Sequence, residues 1–134
     1  MNYAIKVPIA EPNAKTFLFE AQKTMYGGKQ IAIGDTVFIF DSENEGGSGL
    51  VAQGVVTYAE LVAKKAGVAR QTPRVTIRVR RTAAAKRKLG RSELKRYTDW
   101  EDGQPETELN FKFYRQATNK IVGLSENTAA FLAK

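Results

Sequence analysis

Apolar and polar residues alternate most cleanly after Pro73, where Val75, Ile77 and Val79 fall on one side and Arg74, Thr76, Arg78 and Arg80 on the other. A period of two predicts a strand with one face in a core and one basic face in water. Thr36-Val37-Phe38-Ile39-Phe40, entered through Gly34-Asp35, is apolar or β-branched throughout, which predicts a strand covered on both faces. Leu50 to Tyr58 supplies another apolar strand, with Gly54 at a bulge or close packing point, and its glycine-rich link to the preceding strand makes the two a hairpin. Tyr3 to Ile9 predicts the first strand, confined by Pro8 to an edge or an end, and Leu109 to Arg115 and Lys120 to Leu124 predict the last two. Helical spacing is expected over Thr16 to Met25, where Phe17, Leu18, Ala21 and Met25 precede Gly27-Gly28. Ser92 is expected to cap a short helix and Ser125 a final one from Glu126 to Lys134, while Leu61 to Arg70 is a basic connector and Asp99 to Glu108 is acidic and turn-rich. Six short strands with two to four short flanking helices predict an α+β fold: a small, mostly antiparallel β-barrel in a single domain, 1–134.

Charge adds a partner to this picture. Between Lys64 and Arg96 thirteen lysines and arginines face a single acid, Glu93, so that quarter of the chain carries +12 while the remainder sums to −5. Such segregation is the footprint of a polyanion binder, because each cation that meets a phosphate releases a condensed counterion. The chain has no cysteine and no histidine. That removes a disulfide framework, the usual zinc, iron and copper ligand sets and any Ser-His-Asp arrangement, so neither metal nor cofactor is expected and a general base would have to be Asp, Glu, Lys or Tyr. Apolar runs are strand-sized and the first residues do not form a secretory leader, which predicts a cytoplasmic protein without a membrane partner. Gly46-Gly47-Ser48-Gly49 lacks the glycine-lysine signature and following helix of a phosphate-binding loop.

Several segments, taken in order, resemble the EVE domain of the PUA-like superfamily, to which the YTH and ASCH domains also belong. Tyr3-Ala4-Ile5-Lys6 is similar to that family's Tyr-Trp-Leu-x-Lys opening and is followed by Glu11-Pro12. Gly34-Asp35-Thr36-Val37-Phe38-Ile39-Phe40-Asp41-Ser42 resembles its Gly-Asp-x-Val-x-Phe-Tyr-His-Ser stretch, and Gly49 to Val56 resembles the strand that follows. Pro73 to Val79 and Leu89 to Lys95 fall in the right order. Ala4 stands where the family usually has tryptophan and Asp41 where it has histidine, so the chain is identified as a divergent member. The resemblance implies a PUA-like barrel with a pocket for a base, often a modified one, flipped out of DNA or RNA.

Within that frame the phosphate-binding candidates are Arg74, Arg78, Arg80 and Arg81 on the basic strand and Lys86, Arg87, Lys88, Arg91 and Lys95 beyond it. Phe40 and Phe113, near strand ends, are candidate pocket walls, and Asp41, Ser42 and Asn44 are placed to read a polar base edge. Tyr97 and Trp100 are either a stacking platform or the apolar dock of a helix. The reading favours a non-catalytic binder of DNA or RNA over an enzyme. Its alternative is an ASCH-like hydrolase of modified nucleosides, pairing Lys6 with Glu11 or Asp41.

Overall fold

The computed structural model describes residues 1–42, 49–63, 66–67, 71–86, 89–115 and 119–133. Six strands, β1 (Asn2–Val7), β2 (Thr16–Met25), β3 (Thr36–Asp41), β4 (Gly49–Leu61), β5 (Arg74–Ala84) and β6 (Lys120–Gly123), close into a barrel in the order β1-β3-β4-β5-β2-β6. Pairings are antiparallel except for β1 with β3 and β2 with β6. Among the described residues three short α-helices, α1 (Arg91–Leu94), α2 (Pro105–Leu109) and α3 (Glu126–Leu132), and a 3-10 turn, Gly28–Gln30, accompany the barrel, α2 running on into a π-helical turn, Asn110–Tyr114. Among the described residues no helix is long and apolar enough to cross a membrane.

Alternation along the strands sorts side chains into two cores. Val75, Ile77 and Val79 of β5 enter the barrel as the sequence predicts, where they meet Tyr3, Ile5, Val37, Ile39, Val56 and Ile121, while Arg74, Arg78 and Arg80 point outward and are exposed. The outward side chains of β1, β3 and β6, among them Ala4, Phe38, Phe40 and Val122, are buried by Leu94, Leu109, Phe113 and Leu132 of the helical layer. This wall of the barrel is therefore covered on both faces, which explains why β3 has no polar side. Gly54 marks a close approach: a Cβ there would lie 2.4 Å from Val79 Cγ1 and 2.6 Å from the Arg80 carbonyl oxygen.

Two elements differ from the sequence expectation. Residues 16–25 form a strand, not a helix: Phe17 and Phe19 point inward, stacked with ring centroids 5.8 Å apart, and pair with β5. A bulge between Phe19 and Gln22, with Ala21 at φ 49°, shifts the phase of the alternation, so the apolar positions mimic helical spacing. The expected strand from Leu109 to Arg115 is absent: Leu109 ends α2, Asn110–Tyr114 form the π-helical turn and Arg115 caps it. Pro105 opens α2 with Glu106 and Glu108 in its first turn, and Leu109 and Phe113, four residues apart, are fully buried on one face. Six strands are present, as expected, because β2 replaces the segment that turns out helical. At α1 the cap is Gly90 rather than Ser92, and its N–H donates to Glu93 Oε1 at 2.7 Å. Ser125 caps α3 as the sequence indicates, its Oγ accepting from Thr128 N at 3.2 Å.

Candidate nucleic-acid interface

The covered wall carries an uncommon burden for a protein core: two lysines. Lys6 on β1 lies opposite Phe40 on one neighbouring strand and opposite Lys120 on the other, so a row Lys120-Lys6-Phe40 crosses β6, β1 and β3 on the helical side. Both lysines are fully buried. Lys6 Nζ donates to the Phe113 carbonyl at 2.8 Å and lies 5.1 Å from the Tyr114 ring centroid, while the Arg91 guanidinium approaches the same ring at 5.3 Å. One aromatic face region thus serves two cations, each in cation–π range. Burial pushes the Lys120 ammonium below the usual lysine range.

Ser42 adds the second polar element. Its N–H donates to the Val7 carbonyl at 2.9 Å, which extends the β3 pairing, and by strand parity its side chain faces the same way as Phe40. The hydroxyl is fully buried and has no hydrogen-bond partner among the described residues. A buried hydroxyl without a partner costs about 1–3 kcal/mol, so a ligand that hydrogen-bonds to it recovers that free energy. The roof over this row is the π-helical turn, which supplies Phe113 and Tyr114; such turns recur at functional sites because they re-aim side chains out of helical register.

The sequence candidates distribute as follows. Phe40 and Phe113 are fully buried and pack on each other with centroids 5.1 Å apart, forming the floor beside Lys6. Asp41 is half-buried, and its Oδ1 accepts from Ile9 N at 2.9 Å, fixing the chain after β1. Trp100 stands in another cluster, 5.4 Å from Phe111, which in turn lies 6.1 Å from Tyr26, with the Arg115 guanidinium 5.4 Å from the Trp100 ring. Tyr97 is half-buried; its carbonyl accepts from Asn110 Nδ2 at 3.0 Å and its ring carries Arg96 at 5.1 Å. Asn44, Arg87 and Lys88 lie outside the described residues. Glu11 is exposed in the turn after β1. Lys120 and Tyr114 are not singled out by the sequence, and Lys6 only for the hydrolase alternative. The available signal is a lysine beside apolar residues, on both sides in Ala4-Ile5-Lys6-Val7 and on the C-terminal side in Lys120-Ile121-Val122.

The described cations of the basic quarter do not form one surface. Lys86, Arg91 and Lys95 are exposed on or beside the helical layer, and of these Arg91 packs on Tyr114. Arg78 and Arg80 project from the outer face of β5, three strands away from β1 in the six-stranded ring. Arg74 is tied down, its Nη1 donating to the Ala21 carbonyl at 2.7 Å, and Arg81 is half-buried at the barrel's end.

No family model matches the sequence, and no curated protein matches it. Solved structures do match. The DUF55 domain of human thymocyte nuclear protein 1 superposes with a TM-score of 0.65 at 13% identity, over 98% of this chain and 95% of that one. Human THYN1 protein in complex with 5-methylcytosine containing DNA gives a TM-score of 0.63 at 15% identity, over 97% and 94% of the two chains. A hypothetical protein from Leishmania major gives 0.62 at 13% identity, over 98% and 91%. The closed six-stranded barrel with its short helices thus has the fold of the DUF55 domain of human thymocyte nuclear protein 1.

Proposed function

We propose that this domain is a non-catalytic reader of a modified base in DNA, taken from the stack into the polar site on the helical side of the barrel. The observation that carries this reading is the row Lys120-Lys6-Phe40 roofed by Tyr114, with the partnerless Ser42 hydroxyl beside it. An extruded base presents a ring and an edge rich in acceptors. Lys6 and Lys120 supply donors in a low-dielectric setting, Ser42 either donates or accepts, and Phe40, Phe113 and Tyr114 enclose the ring. Arg91 on the Tyr114 ring, with the exposed Lys86 and Lys95 of the same side, is assigned to the flanking phosphates, a contact that gives affinity without sequence information. The DNA bound by human THYN1 protein, which contains 5-methylcytosine, supports a modified cytosine as the first ligand to try.

The test is fluorescence-anisotropy titration with matched duplexes carrying cytosine or 5-methylcytosine, across a salt series. Binding should weaken steeply with salt, and the modified duplex should bind more tightly. Tyr114→Ala should abolish the preference while leaving the salt slope, which reports only the phosphate contacts. Absence of binding at low salt, or binding insensitive to salt, would overturn the proposal.

A further inference from the structure

The outer sheet face on the far side of the barrel carries its own cluster of cations. On β5, Arg78 lies between Leu18 of β2 and Tyr58 of β4, and Arg80 lies between Thr16 of β2 and Val55 of β4. Leu18 and Tyr58 are exposed, at 49% and 38%, so this row is open surface rather than the edge of a core. The Arg78 guanidinium sits 6.0 Å from the Tyr58 ring centroid, which pre-orders a long side chain. Lys15 is also exposed beside Arg81, whose N–H donates to the Lys15 carbonyl at 2.8 Å. Among the described residues two acids share the face: Glu60, opposite Thr76, whose carboxylate accepts from the Tyr58 hydroxyl at the edge of the Arg78 row, and Glu20 near the β2 bulge. From Arg78 toward Arg80 the exposed charges on the face are all positive.

Arg78 and Arg80 cannot share a duplex with the entrance of the base site. β5 is diametrically opposite β1 in the barrel order, and the helical layer lies outside β1. The barrel and one helical layer together place about 20 Å of protein between the two faces. Duplex DNA, with a persistence length of about 50 nm, does not fold around a body of that size.

We infer that the Leu18-Arg78-Tyr58 face is a second DNA site, contacting the phosphate backbone of a separate duplex, so that one copy of the domain bridges two DNA segments. The inference rests on the proposed reading only for what occupies the first site. Backbone contacts from arginines two apart on a strand, with hydroxyls from Thr16 and Thr57 next to them, make this second site indifferent to sequence and base modification.

A two-duplex capture assay separates the sites. A biotinylated duplex carrying 5-methylcytosine is immobilised, protein is added, and retention of a fluorescent unmodified duplex is measured at low salt, with the protein's oligomeric state followed by light scattering. Wild-type protein should retain the second duplex, and the exposed double variant Arg78→Glu/Arg80→Glu should bind the immobilised duplex normally while retaining the second at least roughly tenfold less. Retention unchanged in the double variant, or no retention by wild type, would overturn the inference. Should the immobilised duplex be bound without preference for its modification while the double variant still loses the second duplex, the base-reading proposal fails and the second site stands.

Discussion

Glu108 holds the roof of the candidate site in place, and removing its charge should cost stability in a pH-dependent way. Its Oε1 accepts from the hydroxyls of Ser125 at 2.6 Å and Thr128 at 2.7 Å, and its Oε2 accepts from Ser125 N and Lys112 Nζ, both at 3.0 Å. Four donors on one carboxylate tie α2 to the start of α3. Burial raises the Glu108 pKa, but the bonds from Ser125, Thr128 and Lys112 outweigh it and hold the carboxyl below the ordinary glutamate range. Glu108→Gln would place its carbonyl oxygen toward Ser125 N and Lys112, which cannot accept, and its amide toward the two hydroxyls, which can reverse. Loss of charge assistance then costs about 1–2 kcal/mol, and Glu108→Ala, which removes the shared acceptor and leaves Lys112 its bond to the Gly123 carbonyl and Ser125 Oγ its bond to Thr128 Oγ1, roughly 3 kcal/mol. A depressed carboxylate pKa contributes stability that is complete above the unfolded-state value and is lost as pH falls through the folded-state value. Urea unfolding of wild type and Glu108→Gln should therefore differ at about pH 7 and converge toward about pH 3. Because α2 leads directly into Phe113 and Tyr114, the variant should also lose preference for modified DNA. A stability difference that is the same at both pH values would refute the carboxylate as its source.

Gly54→Ala should destabilise by about 2–3 kcal/mol, since the new methyl meets Val79 Cγ1 and the Arg80 carbonyl inside van der Waals distance and β5 must shift; an unchanged urea midpoint would contradict the packing described. Lys120→Met should act in the opposite direction. With the ammonium held below its usual range by burial, the unfolded chain binds more protons as pH rises through the lowered value, so wild-type stability increases with pH there. The variant should lose that slope and gain about 1–2 kcal/mol at neutral pH while binding DNA more weakly. A variant less stable than wild type across the pH range would show that Lys120 supports the fold rather than a ligand.

The strands with unbroken alternation, β5 above all, are legible from sequence because burial on one face imposes period two directly. β2 is not, since a single extra residue at its bulge shifts Thr24 onto the face that Phe17 and Phe19 use and scrambles the period. Leu109-Asn110-Phe111-Lys112-Phe113 alternates like a strand, yet Pro105 and the acids after it start a helix, and tertiary burial of Leu109 with Phe113 decides the outcome. The site was legible only in part for a different reason. Ser42 and Phe40 lie on a recognisable strand, but Lys6, Arg91, Tyr114 and Lys120 are far apart in sequence and meet only through the parallel pairing of β1 with β3 and the insertion of β6. Nor does sequence reveal that the described cations of the basic quarter divide between opposite faces, because that follows from where β5 sits in the ring.

The placement of β6 has a consequence for how the domain comes into being. This four-residue strand fills the gap between β1 and β2, pairing Tyr3 with Gly123 and Met25 with Val122. Until it docks, β1 and β2 are open edges, each able to template pairing with another chain. Contacts between residues so distant in sequence form slowly, because the loop must close before the contact stabilises it. The same docking step delivers Lys120 to the side of Lys6. A chain that has yet to seat β6 exposes both edges and lacks the lysine pair, so closing the barrel and bringing Lys120 beside Lys6 are one and the same step.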